Sequence, residues 1–370
     1  MKVFLPNMGG MQMIILIIHD KLESNHFMKV AVVILNWNGK KFLEKFLPSV
    51  FEYNSSIAEI IVADNASTDD SITFLKSTYP KVRIIQNDDN GGFAKGYNDA
   101  LKFVEAEYYV LLNSDVEVTP NWIDAVIKLM DSNKSVAACQ PKIKAFDNKK
   151  AFEYAGAAGG FIDKYGYPFC RGRILDTLEE DKGQYNDERE IFWATGACLF
   201  VRSECYHKVN GFDEDFFAHM EEIDLCWRLK NLGYKIMYCP DSTVYHVGGG
   251  TLNKTSPKKT YLNFRNNLIL LCKNHPPQYF LLKLKWRMIL DGVAGIKFLL
   301  SGQFPHFIAV LKAHFSFYGN IGAILRKRKV LKANVKTYTT TAVYLHSIIA
   351  DYYIRGKRTF KEIDLKDRFL

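Results

Sequence analysis

No C-x-x-C pair occurs among the seven cysteines, which stand at positions 139, 170, 198, 205, 226, 239 and 272. That spacing argues against a zinc ribbon or a redox dithiol, and an odd, unpaired count points to free thiols in a reducing compartment. No run of about 18 apolar residues is free of charge, so an unambiguous transmembrane helix is missing. There is no internal repeat and no low-complexity segment. The glycines at 91, 92 and 96 spell Gly91-Gly92-Phe93-Ala94-Lys95-Gly96. That is not G-x-G-x-x-G, and it follows a third strand rather than a first, which argues against a nicotinamide dehydrogenase. What remains is a chain of 370 residues, 48% hydrophobic and 24% charged. The composition argues against wholesale disorder, and the length suits one catalytic-size domain with an extension.

Charge is unevenly placed. Residues 1–250 hold 27 Lys and Arg against 35 Asp and Glu, a net of −8, whereas residues 251–370 hold 22 against 5, a net of +17. An acidic first part joined to a basic tail implies two tasks, and the tail's partner should be anionic. At the other end, Met11 to Ile18 is apolar but lacks a small-residue cleavage site and runs into Asp20, Lys21 and Glu23. This is a poor signal peptide. Met28 reads as the effective start, with residues 1–27 a dispensable upstream segment.

From residue 30 the chain alternates. Short β-branched runs at 30–35, 59–63, 82–85, 108–112 and 136–140 are separated by helical patterns at 41–53, 67–75, 93–104 and 120–130. This order predicts an α/β fold, a mostly parallel sheet with helices on both faces. Ligands in such sheets bind beyond the carboxyl ends of the strands. Polar clusters fall there four times in succession: Asn36, Asp64-Asn65, the loop 87–92, and Asn113-Ser114-Asp115. Residues 145–190 read as a long irregular loop with a hairpin. Further strands are expected at 197–201, 234–238 and 243–246, and an amphipathic helix at 221–232.

Several side chains in this frame carry chemistry. Asp115, fixed at a strand end, can bind a hard divalent cation through oxygen. His246, before Gly248-Gly249-Gly250, can complete an oxygen and nitrogen metal site with it. Gly92 and its neighbours offer backbone N–H groups at a helix start to an anion, with Lys95 one turn on. Asp64 can accept hydrogen bonds from a base or a ribose, or simply close an Asx-turn. Glu221, Glu222 and Asp224 crowd a helix start, where like charges raise one another's pKa. That suits one of them to general-base work near neutrality, although acidic residues there also simply favour the helix dipole.

The runs Val32-Val33-Ile34-Leu35-Asn36-Trp37-Asn38-Gly39, Val62-Ala63-Asp64-Asn65-Ala66-Ser67-Thr68-Asp69 and Asn90-Gly91-Gly92-Phe93-Ala94, together with Leu111-Leu112-Asn113-Ser114-Asp115, resemble the family 2 glycosyltransferases of GT-A fold. Thr195-Gly196-Ala197, Gly211 to Phe217 and Glu221-Glu222-Ile223-Asp224 to Leu229 are similar to that family's acceptor-side segment, and rhamnosyltransferase-like members are nearest. The resemblance covers roughly 29–250. It implies a GT-A domain over 28–250 and an inverting displacement on a nucleotide-diphosphate sugar, dTDP-rhamnose being one candidate donor. Base and ribose would lie against Asn36, Asp64 and Asn65. Asn113 would meet metal or sugar as a neutral oxygen, Ser114 would join the nucleotide-sugar site, and Mg²⁺ or Mn²⁺ would be held by Asp115 with His246. Asn113 replaces the first aspartate of the family's D-x-D, leaving Asp115 as the principal carboxylate. Resemblance places the base at Glu222, with Glu221 the alternative.

Residues 251–370 then form a basic α-helical C-terminal extension. The stretches 279–300 and 304–318 are apolar but carry Lys283, Lys285, Arg287, Asp291 and Lys297, which makes spanning costly. They read as helices on an anionic membrane surface, or as a bundle packed on the catalytic domain and offering an acceptor or homodimer surface. Nucleic acid is not expected as a partner, since no binding module is present. The whole then reads as an enzyme peripheral on the inner face of the cytoplasmic membrane, glycosylating a glycan or lipid-linked acceptor of envelope polysaccharide. A nucleotidyltransferase, or a non-catalytic sugar-binding or scaffold protein of the same fold, is the competing reading.

Overall fold

The computed structural model describes residues 28–248, 256–338 and 340–363. The expectation for residues 1–27 lies outside the described residues. Four strands run parallel in the order β3-β2-β1-β4: β1 (Met28–Asn36), β2 (Ala58–Asp64), β3 (Arg83–Gln86) and β4 (Ala106–Asn113). Val30 to Ile34 are all buried. Val30, Val32 and Ile34 enter one core, and Ala31 and Val33 enter the other, as expected for a strand covered on both faces. The first core is closed by helices α1 (Lys40–Glu52), α2 (Ser71–Thr78) and, after α3 (Gly92–Leu101), by α4 (Trp122–Ser132). Helix α1 buries Leu43, Phe46, Leu47 and Val50, one stripe at helical spacing.

Beyond β4 the sheet changes direction. Strand β12 (Cys198–Arg202) lies antiparallel between β4 and β6 (Val136–Ala145), and β13 (Lys235–His246) pairs with β6 in parallel. The antiparallel insertion was not visible in the sequence, because period-2 burial is the same for either direction. The two short strands expected at 234–246 are one strand with a bulge between Cys239 and Thr243. Pro240 lies inside that bulge and has no N–H for the ladder. The short β5 (Val116–Val118) pairs with the end of β13.

The segment expected to be an irregular loop instead builds a second sheet. Its order is β10-β9-β8-β7-β14, from β7 (Gly160–Asp163), β8 (Pro168–Cys170), β9 (Arg173–Ile174), β10 (Thr177–Leu178) and β14 (Val343–Tyr344). Strands of two to four residues are too short to show alternation, and β14 comes from the basic tail.

After α5 (Ser203–Lys208) and α6 (Glu221–Asn231) the tail forms α7 (Pro257–Asn274), α8 (Phe280–Leu300), α9 (Phe304–Gly319), α10 (Ile321–Asn334), α11 (Ile348–Tyr353) and α12 (Phe360–Ile363). It packs on the acidic part through ion pairs, of which those of Lys273 are buried. Lys273 Nζ meets Asp224 Oδ1 at 2.9 Å and also pairs with Asp213. Lys327 bridges Asp213 and Asp215 at 2.6 and 2.5 Å. Phe360 enters an aromatic cluster with Phe161, Phe169 and Tyr185. All seven cysteines are buried and free.

Candidate active site

Asp115 follows β4 and directly precedes β5. His246 ends β13 and is the cross-strand partner of Val116. Sheet register therefore brings together two residues 131 positions apart, with His246 Nε2 3.1 Å from Asp115 Oδ1. Asn113 Nδ2 lies 3.4 Å from the same nitrogen. On the other side of the ring, Glu153 Oε2 is 3.4 Å from His246 Nδ1. All three charged residues are buried. Burial opposes an imidazolium, but Asp115 and Glu153 outweigh it and raise His246 to about 10. The same pairing holds both carboxyls below their ordinary range against the opposing effect of burial.

Asn36, Asp64 and Asn65 do converge, at the carboxyl ends of β1 and β2. Their side chains are engaged with one another and with the loops. Asn36 Nδ2 donates to Asp64 Oδ1 at 3.0 Å, and Ser67 N–H donates to Asp64 Oδ2 at 2.9 Å. Asn65 Nδ2 donates to Asn90 Oδ1 and to the Gly92 carbonyl. These residues are only 0–2% exposed, so they pin three loops into one rim rather than project from it. Asn36 Oδ1 alone is buried without a partner. Exposed on that rim is Trp37, at 43%.

At the start of α3, where an anion site is expected, the backbone N–H groups already have acceptors. The Gly92 N–H donates to Asn90 Oδ1, and the Phe93 and Ala94 N–H groups donate to the Phe217 carbonyl. The helix start is thus capped from within. Gly92 has φ +86°, and a Cβ there would lie 2.5 Å from the Phe217 oxygen, so glycine is needed for this closure. Lys95 bridges Asp89 and Asp99, both at 2.7 Å, on the surface. Ser114 lies beside the turn at Gly39, a Cβ on which would be 3.5 Å from Ser114 Oγ.

The third group opens α6. Three non-glycine residues before it hold positive φ: Phe217 (63°), His219 (71°) and Met220 (76°). Such a run is strained and persists only where neighbours over-determine it. Here Asn266 of α7 donates to the carbonyls of Phe216, Ala218 and His219 at 2.7–2.9 Å. The loop presents two carboxyls, and Oε2 of each of Glu221 and Glu222 is buried without a hydrogen-bond partner. Burial raises both: Glu222 to about 7, and Glu221, which also feels the Glu222 charge, well above the carboxylate range. Glu221 is buried and Glu222 half-buried. Glu222 lies against Gly196, a Cβ on which would be 3.9 Å from its own. The next residue, Ala197, accepts the Asn113 N–H at 3.0 Å. One short segment therefore separates the orphaned carboxylates from the Asp115–His246 pair.

Among the described residues no cluster of three or more His, Cys, Asp and Glu could hold a metal ion. A two-residue oxygen and nitrogen set still fits a hard cation completed by phosphate oxygens and water. Ligands at right angles around such an ion stand about 3 Å apart, close to the 3.1 Å observed. Trp37 and Glu153 were missed by sequence reasoning. Trp37 read as part of a turn, and Glu153 lay in the supposed loop, where no periodicity marks it.

A sheet covered on both faces, with a polar rim beyond the carboxyl ends of its strands, is the frame of an α/β ligand-binding enzyme. The glycosyl transferase family 2 model matches residues 31–207. Over those residues the chain resembles that family, and it is a rhamnosyltransferase-like glycosyltransferase. It is 25% identical over 260 residues to the N-acetylglucosaminyl-diphospho-decaprenol L-rhamnosyltransferase of Mycobacterium tuberculosis, covering 66% of this chain and 85% of that protein. It is 26% identical over 226 residues to the rhamnosyltransferase WbbL of Escherichia coli, covering 59% and 83%. Among solved structures, S. aureus TarS 1–349 superposes with a TM-score of 0.51 at 15% identity, covering 89% of this chain and 92% of that one. GalNAc-T7 with UDP, GalNAc and Mn²⁺ gives 0.51 at 15% identity over 67% of this chain and 48% of that one. These superpositions support the GT-A fold. The nucleotidyltransferase and scaffold readings are not favoured.

Proposed function

We propose that this glycosyltransferase moves a sugar, rhamnose from dTDP-rhamnose in the leading case, to a lipid-linked glycan intermediate of envelope polysaccharide. The observation that carries the reaction type is the unpartnered Glu222 carboxyl beside Gly196, one residue from the segment that backs Asn113. The donor's base lies over the rim that Asn36, Asp64 and Asn65 hold together, with Trp37 as a stacking surface. Asp115 and His246 would hold Mg²⁺ or Mn²⁺, with Asn113 and Ser114 beside them. When bound, such a cation would supply charge neutralisation to the leaving diphosphate. Glu222 takes the acceptor hydroxyl's proton as that oxygen attacks the anomeric carbon. Glu221, more deeply buried, is less suited to meet an acceptor. The named activities of the M. tuberculosis and E. coli relatives support the choice of sugar.

The tail supports attachment to an anionic lipid surface. No single described helix is long and apolar enough to cross a membrane. Helix α8, however, is turned inside out. It buries Leu284, Arg287, Asp291 and Gly295, with Arg287 and Asp291 paired at 2.9 Å. Outward it presents Leu282, Trp286, Ile289, Val293, Ile296 and Leu300 in one stripe. Lys285 and Lys297 are exposed on the same helix. An apolar ridge accompanied by lysines matches the interface of an anionic bilayer, where a lipid-linked acceptor would also be found.

The test is transfer itself. Purified protein with Mn²⁺ and a panel of nucleotide sugars is expected to release nucleoside diphosphate faster when a lipid-linked glycan is supplied. Absence of release from every donor overturns the reading.

A further inference from the structure

Glu153 belongs to none of the motifs that define the transferase, yet it is built into the Asp115–His246 pair from behind. Its backbone is fixed to β6, because the Glu153 N–H donates to the Ile143 carbonyl at 3.1 Å. Its carboxylate accepts the Ala155 N–H, so the side chain is held in one orientation. That orientation puts Oε2 3.4 Å from His246 Nδ1, a buried nitrogen that has no hydrogen-bond partner among the described residues and for which this carboxylate is the facing charge. Gly248 completes the enclosure. Its φ is +71°, and a Cβ there would come within 2.6 Å of Glu153 Oε1. A side chain at 248 would displace the carboxylate.

An imidazole has one lone pair to give when neutral, and the partner of its other nitrogen decides which atom carries it. Without a cation Nε2, 3.1 Å from Asp115, is protonated as well; a cation bound there takes that proton's place, and a carboxylate facing Nδ1 keeps the remaining proton on Nδ1. Histidines that bind metal ions are commonly oriented by a carboxylate in this way. We propose that Glu153 is a positioning residue: it fixes the tautomer and the ring angle of His246, so that Nε2 and Asp115 present a preformed pair of donors to the divalent cation. The inference rests on the cation reading above. It separates Glu153 from a merely structural acid, whose loss would lower stability without altering how the cation is held.

The experiment measures Mn²⁺ binding by electron paramagnetic resonance on the full chain with UDP or dTDP, for the unaltered protein and for Glu153→Ala, Glu153→Gln and Asp115→Asn. Nucleotide affinity in EDTA is measured alongside. Glu153→Ala is expected to weaken Mn²⁺ binding about 10- to 100-fold and to leave metal-free nucleotide affinity unchanged. Glu153→Gln still offers an acceptor to Nδ1–H and should recover most of the loss. In nitrogen-15 spectra at one fixed pH with Mg²⁺ and nucleotide, His246, assigned by comparison with His246→Asn, should carry its proton on Nδ1. In Glu153→Ala that signature should be lost. Unchanged Mn²⁺ affinity in Glu153→Ala overturns the proposal while the cation site stands, provided Asp115→Asn is impaired. Equal losses in the Ala and Gln variants also overturn it. If the unaltered protein binds no Mn²⁺ with nucleotide, the cation reading fails and this inference fails with it. Should Glu153→Ala not fold, the Gln variant and the nitrogen-15 spectrum of the unaltered protein still decide: a proton on Nε2 overturns the assignment.

Discussion

Glu222 combines two properties that pull in opposite directions. Its carboxyl is pushed up to about 7 because burial disfavours the anion, and as the proposed base it must be that anion. Turnover should therefore rise with pH and level off above about 8, on a limb governed by this group. Stability should run the other way. The folded-state value is raised above the ordinary 4.5, so the folded protein binds more protons between about 4.5 and 7. This contribution is complete below that window and is lost as pH rises through it. Glu222→Gln is expected to lower turnover ~10²-fold or more, and to melt higher than the unaltered protein at pH 8. Turnover and thermal melts across pH 5–9 check both. At the rim, Trp37→Ala should weaken nucleotide binding by about 1–2 kcal/mol, the worth of one stacked base, as titration calorimetry would read. The sequence made Glu221, Glu222, Asp115 and His246 legible as residue types after turns and strands. Glu153 was not legible, since its meaning comes from a register between β6 and β13 that no local pattern encodes. The ion pairs of Lys95 with Asp89 and Asp99 were not legible either, since they depend on neighbours in space.

At the scale of elements, α7 acts as a clamp on the catalytic loop. One amide, Asn266 Nδ2, serves three carbonyls of a backbone held at positive φ. Asn266→Ala removes the side-chain donor of the Ala218 and His219 carbonyls, whereas Phe216 keeps Arg265 and the Ala218 N–H, and this costs about 1–3 kcal/mol. The expected outcome is a moderate fall in melting temperature together with a larger fall in turnover, because the loop sets where Glu222 points. A drop in stability with full turnover would show the clamp to be incidental to catalysis. Helix α8 carries a separable expectation. Its ridge makes no contribution to the buried side, so Ile289→Glu with Val293→Glu should leave the melting temperature within a few degrees and abolish sedimentation with anionic vesicles. The apolar content of α8 could be read from the chain. That its charged residues Arg287 and Asp291 face inward could not, because periodicity fixes which residues share a face but not which way the face points.

Across the whole molecule, the two oppositely charged parts of the sequence meet at one seam. Lys273 and Lys327 lie against Asp213, Asp215 and Asp224, next to the loop that carries Glu222. Removing residues 336–370 deletes β14 from the second sheet and Phe360 from its aromatic cluster. A chain shortened in this way should be less soluble and melt well below the full chain, by circular dichroism and limited proteolysis, although it keeps every residue assigned to chemistry. The parallel order of β1 to β4 was legible because each strand is followed by its own helix. The second sheet was not, because its edge strand arrives from 180 residues downstream.

That edge strand also has a consequence in time. β7 leaves the ribosome long before β14, and at roughly 5–20 residues per second the interval is about 10–35 s. During it Phe161, Phe169 and Tyr185 wait without the ring of Phe360, and the unpaired edge of β7 can be taken by a neighbouring nascent chain. Folding yield in cells should therefore depend on how fast the basic tail is translated, and slow codons there should favour aggregation of a protein whose catalytic residues have all already been made.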